Sequence, residues 1–365
     1  MRNNNPQIIA FYLPQYHPTP HNNEWWGEGF TEWTNVAKAK KLYPGHYQPK
    51  IPADLGFYDL RLPEVRKKQA ELAKEAGISG FCYYHYWFGN GRQELELPFN
   101  QVVESGDPDF PFCLCWANET WSRKFWNPDG SVAKNVVLAE QEYPGEADMR
   151  KHFESLLPAF LDSRYMKIDG KPIFVVYRPL ACPDLQKMIR IWNNLARENG
   201  LPGFYFVGYT LDVESEYDSI KALGADAVCS CRMRRHKRGT MAWLVRKLLS
   251  LVTHMPECYN YRKVYPTLIG KEEAEREDVF PTLMPNWDHT PRSGANGYLF
   301  TNSTPELFKK HVVDVLSKIS GKPKEKQICF LKSWNEWGEG NYMEPDLRYG
   351  KGYIKALREA LESII

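Results

Sequence analysis

LPEVRKKQAELAKEAGISGFCYYHYW, residues 62–87, holds a helix, its stop and a strand in direct succession. Leu62–Ala76 reads as a helix, and Gly77 stands where a C-terminal glycine ends one. Gly80–Tyr86 is a short run rich in aromatic residues, the pattern of a buried strand. The same alternation spreads in both directions. Further strands are predicted at Gln7–Tyr12, Phe112–Ala117, Pro172–Tyr177, Phe204–Gly208, Ala227–Ser230, Thr282–Pro285 and Gln327–Ser333. Helices are predicted at Asp148–Phe160, Leu185–Asn199, Ser215–Leu223, Thr304–Ile319 and Tyr353–Ile364, with Gly200 and Gly224 as further stops. Strands that alternate with helices pair in parallel. Eight such units predict an α/β fold, a closed (β/α)8 TIM barrel. It is expected to form a single domain over residues 1–365, with loop insertions at the C-terminal face and a basic helical insertion around 232–262. An open doubly wound sheet would place a glycine-rich phosphate loop after the first strand. Here that strand runs into FYLPQYHPTP (residues 11–20), and no Walker loop or GxGxxG motif in its context occurs.

The 365 residues suit one barrel with insertions. With 43% hydrophobic and 25% charged residues, the chain can bury a sizeable core. A net charge of only +2 lacks the basic balance that phosphate neutralisation needs, so nucleic acid is not an expected partner. The 12 Trp, 21 Tyr and 18 Phe offer flat apolar faces suited to sugars, although most such rings build cores. Residues 1–6, MRNNNP, are polar and lead straight into a strand, so no secretory leader is expected. No run of about 18 apolar residues is present to span a membrane. Eight cysteines lie mostly in strand-like segments without a CxxC pair, and Cys113 with Cys115, like Cys229 with Cys231, share a strand face. Reduced buried thiols in a cytoplasmic protein are the expectation.

In a barrel of this type the site lies at the C-terminal mouth, so residues following each strand carry the functional signal. The first strand delivers Tyr12, Tyr16 and His17, then a long loop with Trp25, Trp26, Glu32, Trp33, His46 and Gln48. The second delivers Tyr84, His85, Tyr86 and Trp87, the third Trp116, Asn118 and Glu119, the fourth Tyr177 and Arg178. After the seventh come Trp287, Asp288 and Arg292, and after the eighth Trp334 and Asn335. Any one ring among them is as readily a plug of the barrel end. Their recurrence beside hydrogen-bonding groups at most strand ends points to a sugar site, which needs both.

SWNEWGEG, residues 333–340, adds the candidate catalytic pair Glu336 and Glu339. Residues three apart on a continuing strand face opposite ways. A turn after Ser333, eased by Gly338, would bring them to one side with Cβ atoms roughly 5–6 Å apart. Retaining glycosidases hold two carboxyl groups about 5–5.5 Å apart, and inverting ones roughly 6.5–9.5 Å. Close carboxylates also titrate apart, which leaves one able to carry a proton near neutral pH. A solvated acidic loop is the plain alternative, and the flanking Trp334 and Trp337 argue against it.

FYLPQYHPTPHNNEWWGEGFTEWTNV (11–36), GHYQPKIPADLGFYDLR (45–61), GFCYYHYWF (80–88), FPFCLCWANETW (110–121), DGKPIFVVYRP (169–179) and SWNEWGEGNYMEP (333–345) together resemble the WbsX group. That group contains proteins with a domain similar to glycoside hydrolase family 99, the endo-α-mannosidase family. The resemblance runs in order from residue 7 to about 345. It implies a (β/α)8 barrel and a retaining reaction on an α-mannoside-like bond, without a cofactor. It also implies roles: Glu336 deprotonates the sugar's own 2-hydroxyl, which attacks the anomeric carbon, and Glu339 protonates the leaving oxygen and then activates the acceptor. A direct carboxylate nucleophile is the ordinary retaining alternative. The expected function is a glycoside hydrolase-like enzyme cleaving an oligo- or polysaccharide, lipid-linked or free. The alternative is a glycosyltransferase or transglycosylase of O-antigen or capsular polysaccharide synthesis.

Three weaker signals complete the reading. His17, His46, His85 and His289 lack HxH or HExxH spacing and are read as hydrogen-bonding groups, with no metal site. Asp107-Pro108-Asp109 spells a DxD but precedes a strand, at the wrong end of a barrel. Arg232–Val252 is basic and then amphipathic, with Met241, Leu244, Val245, Leu248 and Val252 on one helical face. It is read either as an insertion packed on the barrel or as a peripheral contact with the inner membrane face.

Overall fold

The structure, a computed structural model, describes residues 6–126, 132–233 and 255–364, and between the last two stretches Met241, Leu244, Val245, Leu248 and Thr253. Eight strands form the barrel: β1 (Gln7–Tyr12), β2 (Gly80–Trp87), β3 (Phe112–Trp116), β4 (Lys171–Val176), β5 (Tyr205–Thr210), β6 (Ala227–Ser230), β7 (Val279–Leu283) and β8 (Ile328–Leu331). Each pairs in parallel with the next, and β8 returns to β1, so the sheet closes. Gln7 lies opposite Ile328 and Ile9 opposite Gly80, which places β1 between the second and last strands. The (β/α)8 barrel expected from the sequence is therefore present.

Around it run α1 (Pro63–Ala76), α2 (Leu97–Ser105), α3 (Glu146–Leu161), α4 (Leu185–Glu198), α5 (Val213–Ala222), α6 (Pro305–Ile319) and α7 (Gly352–Glu362). α1 begins with Pro63 in its first turn, where the missing N–H is not needed. It ends at Gly77, whose φ of 85° supplies the left-handed cap. α4 buries Leu185, Met188, Ile189, Trp192, Leu195 and Ala196, a stripe at three- and four-residue spacing. Its Trp192 Nε1 donates to the Met149 carbonyl at 3.0 Å while the ring sits 4.7 Å from Phe174 of β4. Inside the barrel, Phe11 of β1 stacks on Tyr84 at 5.4 Å and on Phe330 at 5.2 Å, and meets Tyr209 edge-on at 5.9 Å. Cys82, Cys113, Cys115, Cys182, Cys229, Cys231 and Cys329 are buried free thiols.

The seventh strand starts earlier than Thr282–Pro285 because Pro281 lies inside it, where a proline ordinarily marks an edge or an end. Elements not anticipated are α2, an antiparallel hairpin of Trp121–Trp126 with Val132–Ala139, and a parallel pair of Glu257–Asn260 with Tyr298–Thr301. Glu257–Asn260, the first strand of that pair, lies within the insertion expected around 232–262, about half of which lies outside the described residues.

Candidate active site

Beyond β8 the chain forms a small hairpin. Asn335–Glu336 pairs with Asn341–Tyr342, and Trp337–Glu339 makes a 3-10 turn between them. Glu336 stands at the start of this turn and Glu339 at its end, and both side chains face one cavity. Local hydrogen bonds fix this turn. Ser333 Oγ accepts the Glu336 N–H at 2.9 Å and donates to the Asn341 carbonyl at 2.7 Å. Asn335 accepts the Leu13 N–H at 2.7 Å and donates back to the Leu13 carbonyl at 3.0 Å, locking the turn to the end of β1. The Tyr16 hydroxyl donates to the Asn335 carbonyl and accepts the Trp337 N–H. Trp337 stacks on Tyr342 at 3.7 Å and donates to Glu344 at 2.7 Å.

Gly338 serves close approach rather than the bend expected of it. A Cβ there would sit 1.5 Å from Glu32 Oε1. Glu32, 1% exposed on the short helix Glu32–Ala37, accepts from Arg292 Nε at 2.9 Å. The same guanidinium donates through Nη1 to Glu339 Oε1 at 2.6 Å. His289 Nε2 is 3.8 Å from that oxygen, with its other nitrogen against Ser293 Oγ. On the opposite side, Lys332 Nζ lies 3.2 Å from Glu336 Oε2 and 3.9 Å from Glu339 Oε2.

The two glutamates therefore have different electrostatic settings. Burial pushes the Glu336 carboxyl above its ordinary range, and Lys332 opposes it only in part. Burial also opposes charge on Glu339, but Arg292, Lys332 and His289 together hold that carboxyl below its ordinary range. A carboxyl pair set apart in this way is what acid–base chemistry requires.

The pair lies on a cavity of ≈610 Å³, within the range of small-ligand sites. Trp26, Glu32, Tyr84, Tyr86, Glu119, Tyr177 and Arg292 also line it, so these expected residues come together with the glutamates. Arg178 reaches it indirectly, through its 2.7 Å bond to Glu119. Other expected contacts are spent elsewhere. Tyr12 donates to Gln69, His17 meets the Pro14 carbonyl, and Trp33 donates to the Tyr58 carbonyl. His85 faces His152, Trp87 donates to Asp148, and Trp116 donates to the Trp87 carbonyl. Asn118 clamps the backbone of Arg178, Trp334 is fully buried, and Trp25 packs edge-on against Trp121. Asp288 binds His46 and Gln48 and, with His46, lines a separate ≈330 Å³ pocket, and Trp287 stacks on Tyr298. Tyr16 and Asn335 hold the turn already described. The four histidines singled out earlier thus do not converge.

Trp121 and His289, which follow the third and seventh strands, also line the cavity, and Phe30, Lys38, Thr120 and Lys332 were not among the expected contacts. Of these, Lys332 carried a legible signal, a charged residue in the otherwise apolar run ICFLKSW (328–334).

Comparison with known proteins agrees with this architecture. The family model for Glycosyltransferase WbsX matches residues 8–357. The uncharacterized protein WxcX of Xanthomonas campestris pv. campestris (strain B100) is 34% identical over 358 residues, covering 97% of this chain and 49% of WxcX. The chain thus spans about half the length of the curated relatives it matches. Among solved structures, a glycoside hydrolase-like protein aligns with a TM-score of 0.60 at 16% identity, over 99% of this chain and 95% of the other. The GH99 endo-α-mannosidase from Bacteroides thetaiotaomicron aligns with a TM-score of 0.58 at 16% identity, over 100% and 97%. At that identity the likeness concerns the fold alone. The family match and the relatives together establish that this chain belongs to the WbsX family.

Proposed function

We propose that this chain breaks and re-forms glycosidic bonds in an oligo- or polysaccharide, with Glu336 and Glu339 carrying the chemistry and retention of configuration. The observation that carries this reading is the glutamate pair at the two ends of the 3-10 turn after β8, Glu336 buried and Glu339 partly buried on one cleft, with opposite shifts in proton affinity. Glu336, whose proton affinity burial raises, suits a base. It removes the proton of the sugar 2-hydroxyl as that oxygen attacks the anomeric carbon, while the leaving oxygen takes a proton from Glu339. The acceptor oxygen then bonds to the anomeric carbon and displaces O2 from it, giving its own proton to Glu339, and O2 recovers its proton from Glu336. Arg292 favours the charged form of Glu339. The donor must therefore loosen that ion pair before Glu339 can act as an acid. Direct attack by a carboxylate is the competing retaining route.

The aromatic walls Trp26, Tyr84, Tyr86, Trp121 and Tyr177 suit sugar faces, and Glu119 and Asn35 suit hydroxyls. An α-mannoside-like donor is the first substrate to test. Hydrolysis is the preferred outcome and transfer to a sugar hydroxyl the alternative, which the family description favours. Incubation with a panel of α-mannose-containing oligosaccharides and lipid-diphosphate-linked glycans, with or without an added acceptor, separates them. Hydrolysis gives the reducing sugar alone, whereas transfer gives an elongated acceptor. Neither product from any member of the panel contradicts the reading.

A peripheral membrane contact is a second element of this proposal. Met241, Leu244, Val245 and Leu248 have helical spacing and are 75%, 43%, 47% and 62% exposed. Residues 232–252 contain seven Lys or Arg and no Asp or Glu. Such a face suits an anionic bilayer surface. Val252, expected on the same face, lies outside the described residues. Leu244→Ser/Leu248→Ser is expected to cut co-sedimentation with vesicles containing phosphatidylglycerol several-fold, with no change on neutral vesicles. Equal co-sedimentation of the variant and the wild type would remove this element.

A further inference from the structure

Lys332 occupies a place that packing alone does not explain. It follows the last residue of β8 directly and is 4% exposed. Its Nζ approaches Glu336 Oε2 at 3.2 Å, Tyr84 OH at 3.4 Å and Glu339 Oε2 at 3.9 Å. The rings of Tyr84 and Trp287 lie 5.9 and 5.8 Å from the ammonium. A buried ion pair is often no more stabilising than apolar residues of similar volume, so a lysine held here by stability alone would gain little over methionine.

We infer that Lys332 is a positioning residue for the reaction: its ammonium, anchored on the last barrel strand, holds the Glu336 carboxylate aimed into the cleft and available as the base. This rests on the role of Glu336 proposed above. Among the described residues, Lys332 makes the only ion pair to Glu336, whereas Glu339 also has Arg292 and His289. The charged and titratable groups facing Lys332 come from all sides. Glu336 and Glu339 rise from the turn, Tyr84 stands on β2, Tyr177 follows β4, Tyr209 stands on β5 and Cys231 follows β6. The tyrosines and the thiol are buried and resist ionisation, so the carboxylates are its charged partners. Without the ammonium, burial and the neighbouring Glu339 charge would both favour a protonated, inert Glu336. Arg292 is committed to Glu32 and Glu339 and cannot replace it.

The direct test is the carboxyl 13C titration of Glu336, its resonance assigned by its loss in Glu336→Gln, compared between wild type and Lys332→Met. The midpoint is expected to lie roughly one to three pH units higher in Lys332→Met, with Lys332→Arg restoring part of the difference. On the substrate found by the glycan panel, kcat is expected to fall at least about tenfold with little change in KM. The acid limb of the pH profile should move up with the carboxyl midpoint. An unmoved midpoint overturns the inference. So does a wild-type pH profile in Lys332→Met when Glu336→Gln is inactive, and that result leaves the proposed function intact. Full activity of Glu336→Gln would instead overturn the role of the glutamates and this inference with it. If Lys332→Met does not fold, the Lys332 13Cε resonance provides the reciprocal measurement. It should titrate at lower pH in Glu336→Gln than in wild type, and equal titration overturns the inference.

Discussion

Gly338 lacks a side chain because Glu32 fills the space one would need, and Glu32 in turn steers Arg292 onto Glu339. A methyl group at 338 would displace the Glu32 carboxylate and loosen the Arg292 bridge. Gly338→Ala is therefore expected to lower kcat/KM at least about tenfold, while the thermal midpoint moves by only a few degrees. A variant with wild-type kinetics would show that the bridge is not used. Glu344 makes a second prediction at this scale. Burial pushes its carboxyl up to about 7, against the bonds it accepts from Trp337, Gln69 and Tyr58. The folded chain thus holds this proton more tightly than the unfolded one, so the associated stability is full in acid and is lost as pH rises through about 7. Between pH 5 and pH 8, Glu344→Gln should lose less stability than wild type, by roughly 1–3 kcal/mol in urea unfolding. Parallel losses would refute the shift. Glu336, Glu339 and Arg292 were legible because chemistry-bearing residues cluster in a short motif or follow a strand. Lys332 was less legible because it continues the apolar run of the last strand and belongs to no motif of its own.

The barrel strands and outer helices were readable because their apolar spacing reports burial directly, as in α4 and β1. What was not readable were contacts made across hundreds of residues. Asn335 looked like a sugar ligand by its motif, yet its amide closes on Leu13, 322 residues away. His46 and Gln48 likewise turn to Asp288 instead of the cleft. Asn335→Ala would leave two buried backbone groups of Leu13 without partners and let the turn drift from β1. It is expected to destabilise the chain by about 2–4 kcal/mol, read from chemical denaturation. Stability within about 0.5 kcal/mol of wild type would mean that the clamp contributes nothing measurable.

At the scale of the molecule, closure of β8 onto β1 is what brings Glu32, from the first loop, against Arg292 and Glu339, from the last two. The count of eight strands foretold a mouth lined from many strand ends. It could not foretell which side chains face inward, because successive residues leaving a strand alternate between the cavity and the packing around it. Tyr84 and Tyr86 of β2 line the cleft, while His85 between them packs against His152. The central claim is that the two glutamates carry glycosidic-bond chemistry. It is tested most directly by turnover of the α-mannose-containing panel in wild type, Glu336→Gln and Glu339→Gln, with product anomers followed by proton NMR. The account predicts retention in the wild type, a loss of at least about a thousandfold in both variants, and persistent glycan binding. Undiminished turnover in both variants would contradict it.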